Sequence, residues 1–335
     1  MKHSCHTKII FPLVLLIILS FPFFAPNLAR MSAGIAVLSG IILSLTLGNP
    51  YAEFTKQATS RLLTWSIVGL GFGMNLMAVV HVGLQGIGYT IISIVLAMVV
   101  GLWLGRVFKN TDDGSLLITV GTAICGGSAI AAIAPTIHAK HENISVALAV
   151  VFVLNAVALF VFPVIGHLMH FTQEQFGIWS ALAIQDTSSV VGATMQYGHS
   201  SLMIGTTVKL ARALWIVPMT IVIGFFYAKK THLEPGKTKA KKPWFILGFI
   251  FAAALVTWIP ALQATGIKIH HIAEQALIAA LFCIGSNLSR MTVQTLGMRP
   301  LLQGLMLWIV LASTTFFAIE MHYVAAPTAV TKSLA

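Results

Sequence analysis

Long apolar stretches follow one another along almost the whole of this 335-residue chain, and they decide what it can fold into. They lie near residues 9–25, 31–47, 62–80, 87–105, 115–137, 144–166, 178–197, 203–227, 244–262, 272–289 and 300–321. Each is about 17–25 residues, the length at which a helix spans the roughly 30 Å hydrocarbon core of a bilayer. The chain is 57% hydrophobic and only 9% charged, against about 25% charged residues in soluble domains. A water-soluble fold would have nowhere to bury that surface. In hydrocarbon a backbone must satisfy its own hydrogen bonds, and helices do so within one segment. The expectation is an all-α polytopic membrane protein of about 9–11 transmembrane segments, a single integral membrane domain over 1–335.

The net charge of +11 would direct a soluble protein toward nucleic acid. Here the distribution of charge explains it, and no nucleic-acid partner is expected. Lys2, Lys8, Lys56, Arg61, Arg106, Lys109, Lys140, Arg290, Arg299 and the six lysines of 229–242 fall on one side of the predicted topology. Only Arg30, Lys268 and Lys332 fall on the other. By the positive-inside rule the N-terminus and the 229–242 loop are expected to be cytoplasmic. That loop, with Pro235 and Gly236, is the clearest hydrophilic break. It makes 229–243 a linker between a 1–228 portion and the C-terminal helices of 244–335, and it can contact anionic lipid heads. The first 29 residues resemble a signal peptide, but their apolar run leads into further spans and reads as a first transmembrane helix. Cys5, Cys125 and Cys283 fit no disulfide or metal spacing.

The fifth and seventh segments, 115–137 and 178–197, are rich in Gly, Ser, Thr and Ala, and they echo each other. Ala123-Ile124-Cys125-Gly126-Gly127-Ser128-Ala129-Ile130 aligns without gaps on Ala183-Ile184-Gln185-Asp186-Thr187-Ser188-Ser189-Val190. A second echo joins Gly73-Met74-Asn75-Leu76 to Gly285-Ser286-Asn287-Leu288. Such echoes suggest inverted repeats. If every segment crosses, the loop with Lys140 lies outside. If the fifth and seventh are broken and re-entrant, that loop returns to the side the charge rule prefers, and the two segments enter from opposite faces. We favour the re-entrant reading.

Inside these stretches sits a cluster of charge: Asp186, and Lys209 with Arg212 three residues apart on one helix face. A charge in the bilayer costs at least about 2.5–3.5 kcal/mol on insertion scales, so it normally faces a partner or a watery path. Gly126 and Gly127 break a helix and free backbone N–H groups, and a half-helix starting there suits an anion. With Ser128, Thr187, Ser188, Ser189, Lys209 and Arg212 they form the candidate substrate-binding set. The plain alternatives are small-residue helix packing for the glycines and snorkelling for the cations. Asp186 is the candidate ion-coupling residue; its alternative is to neutralise Lys209 or Arg212. Asn75 and Asn287 follow glycines at helix ends and are candidate breaks or caps. Asp112-Asp113 precedes a helix and reads as its N-terminal cap, with a favourable helix dipole. His138/His141, His167/His170 and His270/His271 pair in sequence but lack a further ligand, so no metal or cofactor is expected.

At these residues the chain resembles a known family. The motifs ICGGSAIAA (124–132), AIQDTSSVVGA (183–193) and TTVKLARALWIVP (206–218), with GFGMNL (71–76) and IGSNL (284–288), are similar to those of the bacterial sulfate exporter family. That family comprises conserved membrane proteins of unknown function, grouped with the cation:proton antiporter and anion transporter superfamily. The resemblance covers nearly the whole chain. It implies a bacterial inner-membrane protein with inverted repeats and discontinuous helices crossing at mid-membrane, so broken helices that do cross rival the re-entrant reading. It also implies transport of a small anion, sulfate or a related sulfur oxyanion, coupled to H+ or Na+. One departure is Gln185, where the family commonly has His. The chain carries no nucleotide motif and no HExxH helix, and its single intramembrane Asp cannot form a dyad. A secondary transporter is therefore expected and an enzyme is not; a channel, or a sensor or scaffold, is the rival. A homodimer is compatible with the sequence.

Overall fold

The computed structural model describes residues 5–24, 32–231, 244–288, 297–321 and 323. They form helices and turns, with no strand among the described residues. The helices are α1 (Cys5–Phe24), α2 (Ser32–Thr46), α3 (Ala52–Gly71), α4 (Leu76–Val107), α5 (Asp112–Ala123), α6 (Gly127–Ile133) and α7 (His141–Leu168). They continue as α8 (Gln173–Ala183), α9 (Thr187–Tyr197), α10 (His199–Ala213), α11 (Ile216–Thr231), α12 (Trp244–Trp258), α13 (Gln263–Ser286) and α14 (Met298–Glu320). Five stretches are long and apolar enough to cross a membrane: Leu76–Val107, His141–Leu168, His199–Lys229, Pro260–Ser286 and Met298–Glu320. The chain is thus an all-α polytopic membrane protein. The linker expected at 229–243 lies almost wholly outside the described residues.

Two sets of contacts define the two faces. On the first, the Thr111 hydroxyl donates to Asn143 Oδ1 at 3.1 Å, and the Asn110 amide donates to Gln303 Oε1 at 2.9 Å. His138 lies beside Tyr227, with ring centroids 6.4 Å apart. The ends of α4 and α11 and the starts of α5, α7 and α14 therefore share this face. It carries Arg106, Lys109, Lys140 and Arg299, and we call it the basic face. On the opposite face Ser200 N–H donates to Gln173 Oε1 at 3.0 Å, Tyr197 Oη–H donates to Phe171 O at 2.7 Å, and Phe171 stacks on Phe316. Helix α7, at 28 residues, is roughly 42 Å long and joins the two.

These contacts settle the path of the two small-residue segments. α5 starts beside α7 on the basic face, so the chain dips in through α5, turns, and comes back through α6. α8 starts beside the α9–α10 junction on the opposite face, so α8 and α9 do the same from the other side. α5 has 12 residues and α8 has 11, roughly 16–18 Å each, or about half the hydrocarbon thickness. Both segments are re-entrant hairpins with opposite orientation.

Local sequence explains the ends. Thr111 caps α5, its hydroxyl oxygen accepting from Gly114 N, while Asp112 and Asp113 sit in the positive first turn. The cap is thus Thr111 and not the aspartates. Thr172 and Gln175 form a reciprocal capping box at the start of α8. One predicted boundary is wrong. The apolar stretch placed at 62–80 is two helices, with a turn at Phe72–Met74 between them. Asn75 accordingly starts α4 by accepting from Met77 N and Ala78 N; it does not end α3. The turn residues Phe72 and Met74 are apolar, so hydropathy carries straight across them.

The described helices pack in two groups. α2, α3, α12 and α13 lie together, and α4 to α10 lie with α14. In the first group backbones meet at glycines: a Cβ on Gly69 would strike Ala273, and one on Gly285 would strike the Val37 carbonyl. The echoing Asn75 and Asn287 sit at opposite ends of this antiparallel α3–α13 pair.

Candidate functional site

The two hairpin tips meet in the interior. α5 is C-capped by Ile124, and a bond from Gly126 N to Gly121 O at 2.8 Å closes its end. Gly126 then takes φ +64 and ψ −127, a conformation L residues rarely adopt, and releases the chain into α6. α8 is C-capped by Ile184, which like Asp186 has extended backbone angles, and residues 184–186 bend the chain into α9. A Cβ on Gly126 would stand 3.2 Å from Asp186 Cβ. The two breaks therefore touch, and glycine is what lets them.

Two half-helices ending at one place present clustered carbonyls with the negative ends of two dipoles. Lys209 and Arg212 answer them. Both are 0% exposed on α10. Arg212 donates from Nε to Ala123 O at 2.7 Å and from Nη1 to Leu182 O at 2.5 Å, linking the ends of α5 and α8. Lys209 donates from Nζ to Ile184 O at 2.7 Å. These bonds exclude snorkelling. What the two residues leave for a ligand is their field more than free donors.

Asp186 makes no ion pair with either cation among the described residues. It caps α9, its carboxylate accepting from Ser188 N at 3.0 Å and from the Ser188 hydroxyl. Its own N–H donates to Asn155 Oδ1 at 3.2 Å. Gly127 is half-buried, Ser128 is exposed, Thr187 is half-buried and Ser189 is buried, all in the first turns of α6 and α9. Asn287 lies elsewhere: with Thr55 and Thr59 it ties α13 to α3 near the basic face. The structure thus gathers Gly126, Gly127, Ser128, Asp186 to Ser189, Lys209 and Arg212, and leaves Asn75 and Asn287 apart.

Asn155 was not foreseen. It sits in α7, 4% exposed, in the run Val151-Phe152-Val153-Leu154-Asn155-Ala156-Val157. A lone amide in so apolar a helix was the signal. Its Nδ2, and both side-chain polar atoms of Gln185 (1% exposed), have no hydrogen-bond partner among the described residues. Buried polar groups are normally satisfied. Two such amides thus stand beside the two tips.

The family profile described as Conserved hypothetical protein 698 matches residues 9–304. The chain belongs to this family. It is 56% identical over 317 residues to a UPF0324 membrane protein of Bdellovibrio bacteriovorus, covering 95% of each chain. It is 44% identical to a UPF0324 membrane protein of Bacteroides thetaiotaomicron, over 87% of this chain and 88% of the relative. It is equally identical to one from Geobacter sulfurreducens, over 86% and 91%. No solved structure matches. The relatives bear out a conserved bacterial membrane protein family and a membrane location.

Proposed function

We propose that this protein is a secondary transporter of a small anion of the sulfate or sulfur-oxyanion class, coupled to H+ or Na+ through Asp186. One observation carries the reading. Hairpins entering from opposite faces meet at Gly126 and Asp186, in a centre that holds two cations, one carboxylate and unpartnered amides. Its net charge favours an anion, and Gln185 and Asn155 offer donors of the kind an oxyanion takes. Tips reached from either side suit alternating access, in which one group of helices moves against the other. Asp186 is the one carboxylate at the tips and the group there that can bind a proton or Na+. The basic face is cytoplasmic on this reading, by the positive-inside rule.

The test is flux in proteoliposomes. Radiolabelled sulfate should show saturable counterflow and respond to an imposed pH or Na+ gradient. Asp186→Asn keeps an N-cap, because Asn caps about as well as Asp. The variant should fold and bind the anion while its flux ignores the gradient. Gradient-driven flux unchanged in a well-folded Asp186→Asn protein ends the coupling assignment. Unitary currents without counterflow would make the protein a channel. A thermal-shift panel of oxyanions with no response would remove the anion reading altogether.

A further inference from the structure

The opposite face holds a second cluster of chemistry, remote from the hairpin tips. His270 and Glu274 lie one turn apart on α13, with Nε2 and Oε1 separated by 3.4 Å. His199, the first residue of α10, brings its ring to 5.5 Å from that of His270. Ligand atoms of His199, His270 and Glu274 all lie within 4.8 Å of one another. The sequence pairs His270 with His271, and the fold replaces that pair with a triad. His271 turns outward and contacts the other carboxylate oxygen, Glu274 Oε2, at 3.2 Å.

We propose that His199, His270 and Glu274 bind a divalent transition metal of the zinc class on the face opposite the basic one. Three features support this. His270 Nδ1 lies 3.2 Å from Leu70 O, so an Nδ1–H donated there leaves the Nε2 lone pair aimed at Glu274. That is the second-shell arrangement typical of metal-bound imidazole. In that tautomer Nε2 and Oε1 are two acceptors facing each other, and Nε2, in a residue 4% exposed, makes no hydrogen bond among the described residues. A cation between them resolves the conflict. The geometry also fits, since zinc bonds of about 2.0–2.2 Å at tetrahedral angles set ligand atoms about 3.3–3.6 Å apart. The His270–Glu274 pair already has that spacing. His199 is exposed and free to close the remaining ångström, leaving a fourth position for water.

The site's place in the fold gives it a consequence. His270 is anchored to α3 and belongs to the group of α2, α3, α12 and α13. His199 belongs to α10, which carries Lys209 and Arg212. A bound metal would therefore fasten the two groups together at this face.

The experiment uses the full chain in detergent, purified without a polyhistidine tag and stripped of metal. Zn2+ is titrated by calorimetry with bound metal counted, and Co2+ serves as a spectroscopic probe. Wild type should bind one equivalent that His199→Ala and Glu274→Gln each weaken at least tenfold. Zn2+ should raise its melting temperature where Mg2+ does not. Co2+ should give a tetrahedral absorption band that both variants lose. A His3→Ala/His6→Ala variant controls for the N-terminal histidines and should bind as wild type. If His199→Ala binds Zn2+ as tightly as wild type, or if neither metal binds wild type at neutral pH, the proposal fails. His199 is exposed and caps nothing, so its variant separates metal loss from misfolding. This outcome does not depend on anion transport.

Discussion

Arg212 offers the sharpest test of how the interior is held. Replacing it with Leu keeps much of the side-chain volume but strands Ala123 O and Leu182 O, which it reaches at 2.7 and 2.5 Å. Its contacts to Thr122 O and Ala181 O, at 3.5 Å, are too long to count for much. A stranded buried acceptor costs about 1–3 kcal/mol, so two cost about 2–6. The variant no longer desolvates a guanidinium, which draws the net toward about 2–4 kcal/mol. For a chain of 335 residues that lowers the melting temperature by roughly 3–6 °C. Arg212→Lys keeps the charge, but one ammonium cannot reach both carbonyls, and about half the loss should remain. Cys125 and Cys283 are free and buried, so a thiol-reactive dye reports unfolding in detergent directly. Arg212→Leu melting within 2 °C of wild type would refute the fastening role. If such a stable variant also lost anion binding, the guanidinium would be a ligand of the substrate instead.

Gly126→Ala should destabilise by about 1–3 kcal/mol, from the positive φ and the approach of its Cβ to Asp186 and Val151; the same dye assay reads it, and an unchanged melting temperature would mean the two breaks do not touch. Gln303→Leu removes an amide that donates to Gly101 O at 3.0 Å and Ser115 Oγ at 2.9 Å and accepts from Asn110. It should cost about 1–3 kcal/mol and speed hydrogen exchange at the start of α5; exchange confined to wild-type rates there would contradict the network.

Much of the architecture was legible in the chain because a bilayer allows few alternatives. Apolar length and scarce charge specify helices. The matched small residues at 123–130 and 183–190 mark where helices stop, since Gly126 at positive φ and the bend at 184–186 do not continue an α-helix. The side of Lys140 distinguished re-entry from crossing, and Thr111 meeting Asn143 agrees. The partners of the charges were not legible. Lys209 and Arg212 invite pairing with Asp186, the one acid nearby in sequence, but their bonds go to carbonyls of Ala123, Leu182 and Ile184. Backbone acceptors carry no residue letter, and they become available only when two half-helices end in one place. His199 and His270 stand 71 positions apart, and no spacing rule links them. Asn155 was visible but looked like any polar residue in a long helix, until the tertiary structure set it against the Asp186 backbone. Local sequence chose the helices and their breaks through backbone geometry and transfer free energy. Only the packing of distant helices decided which groups meet, because the chemistry of this centre is made between segments and not within any one of them.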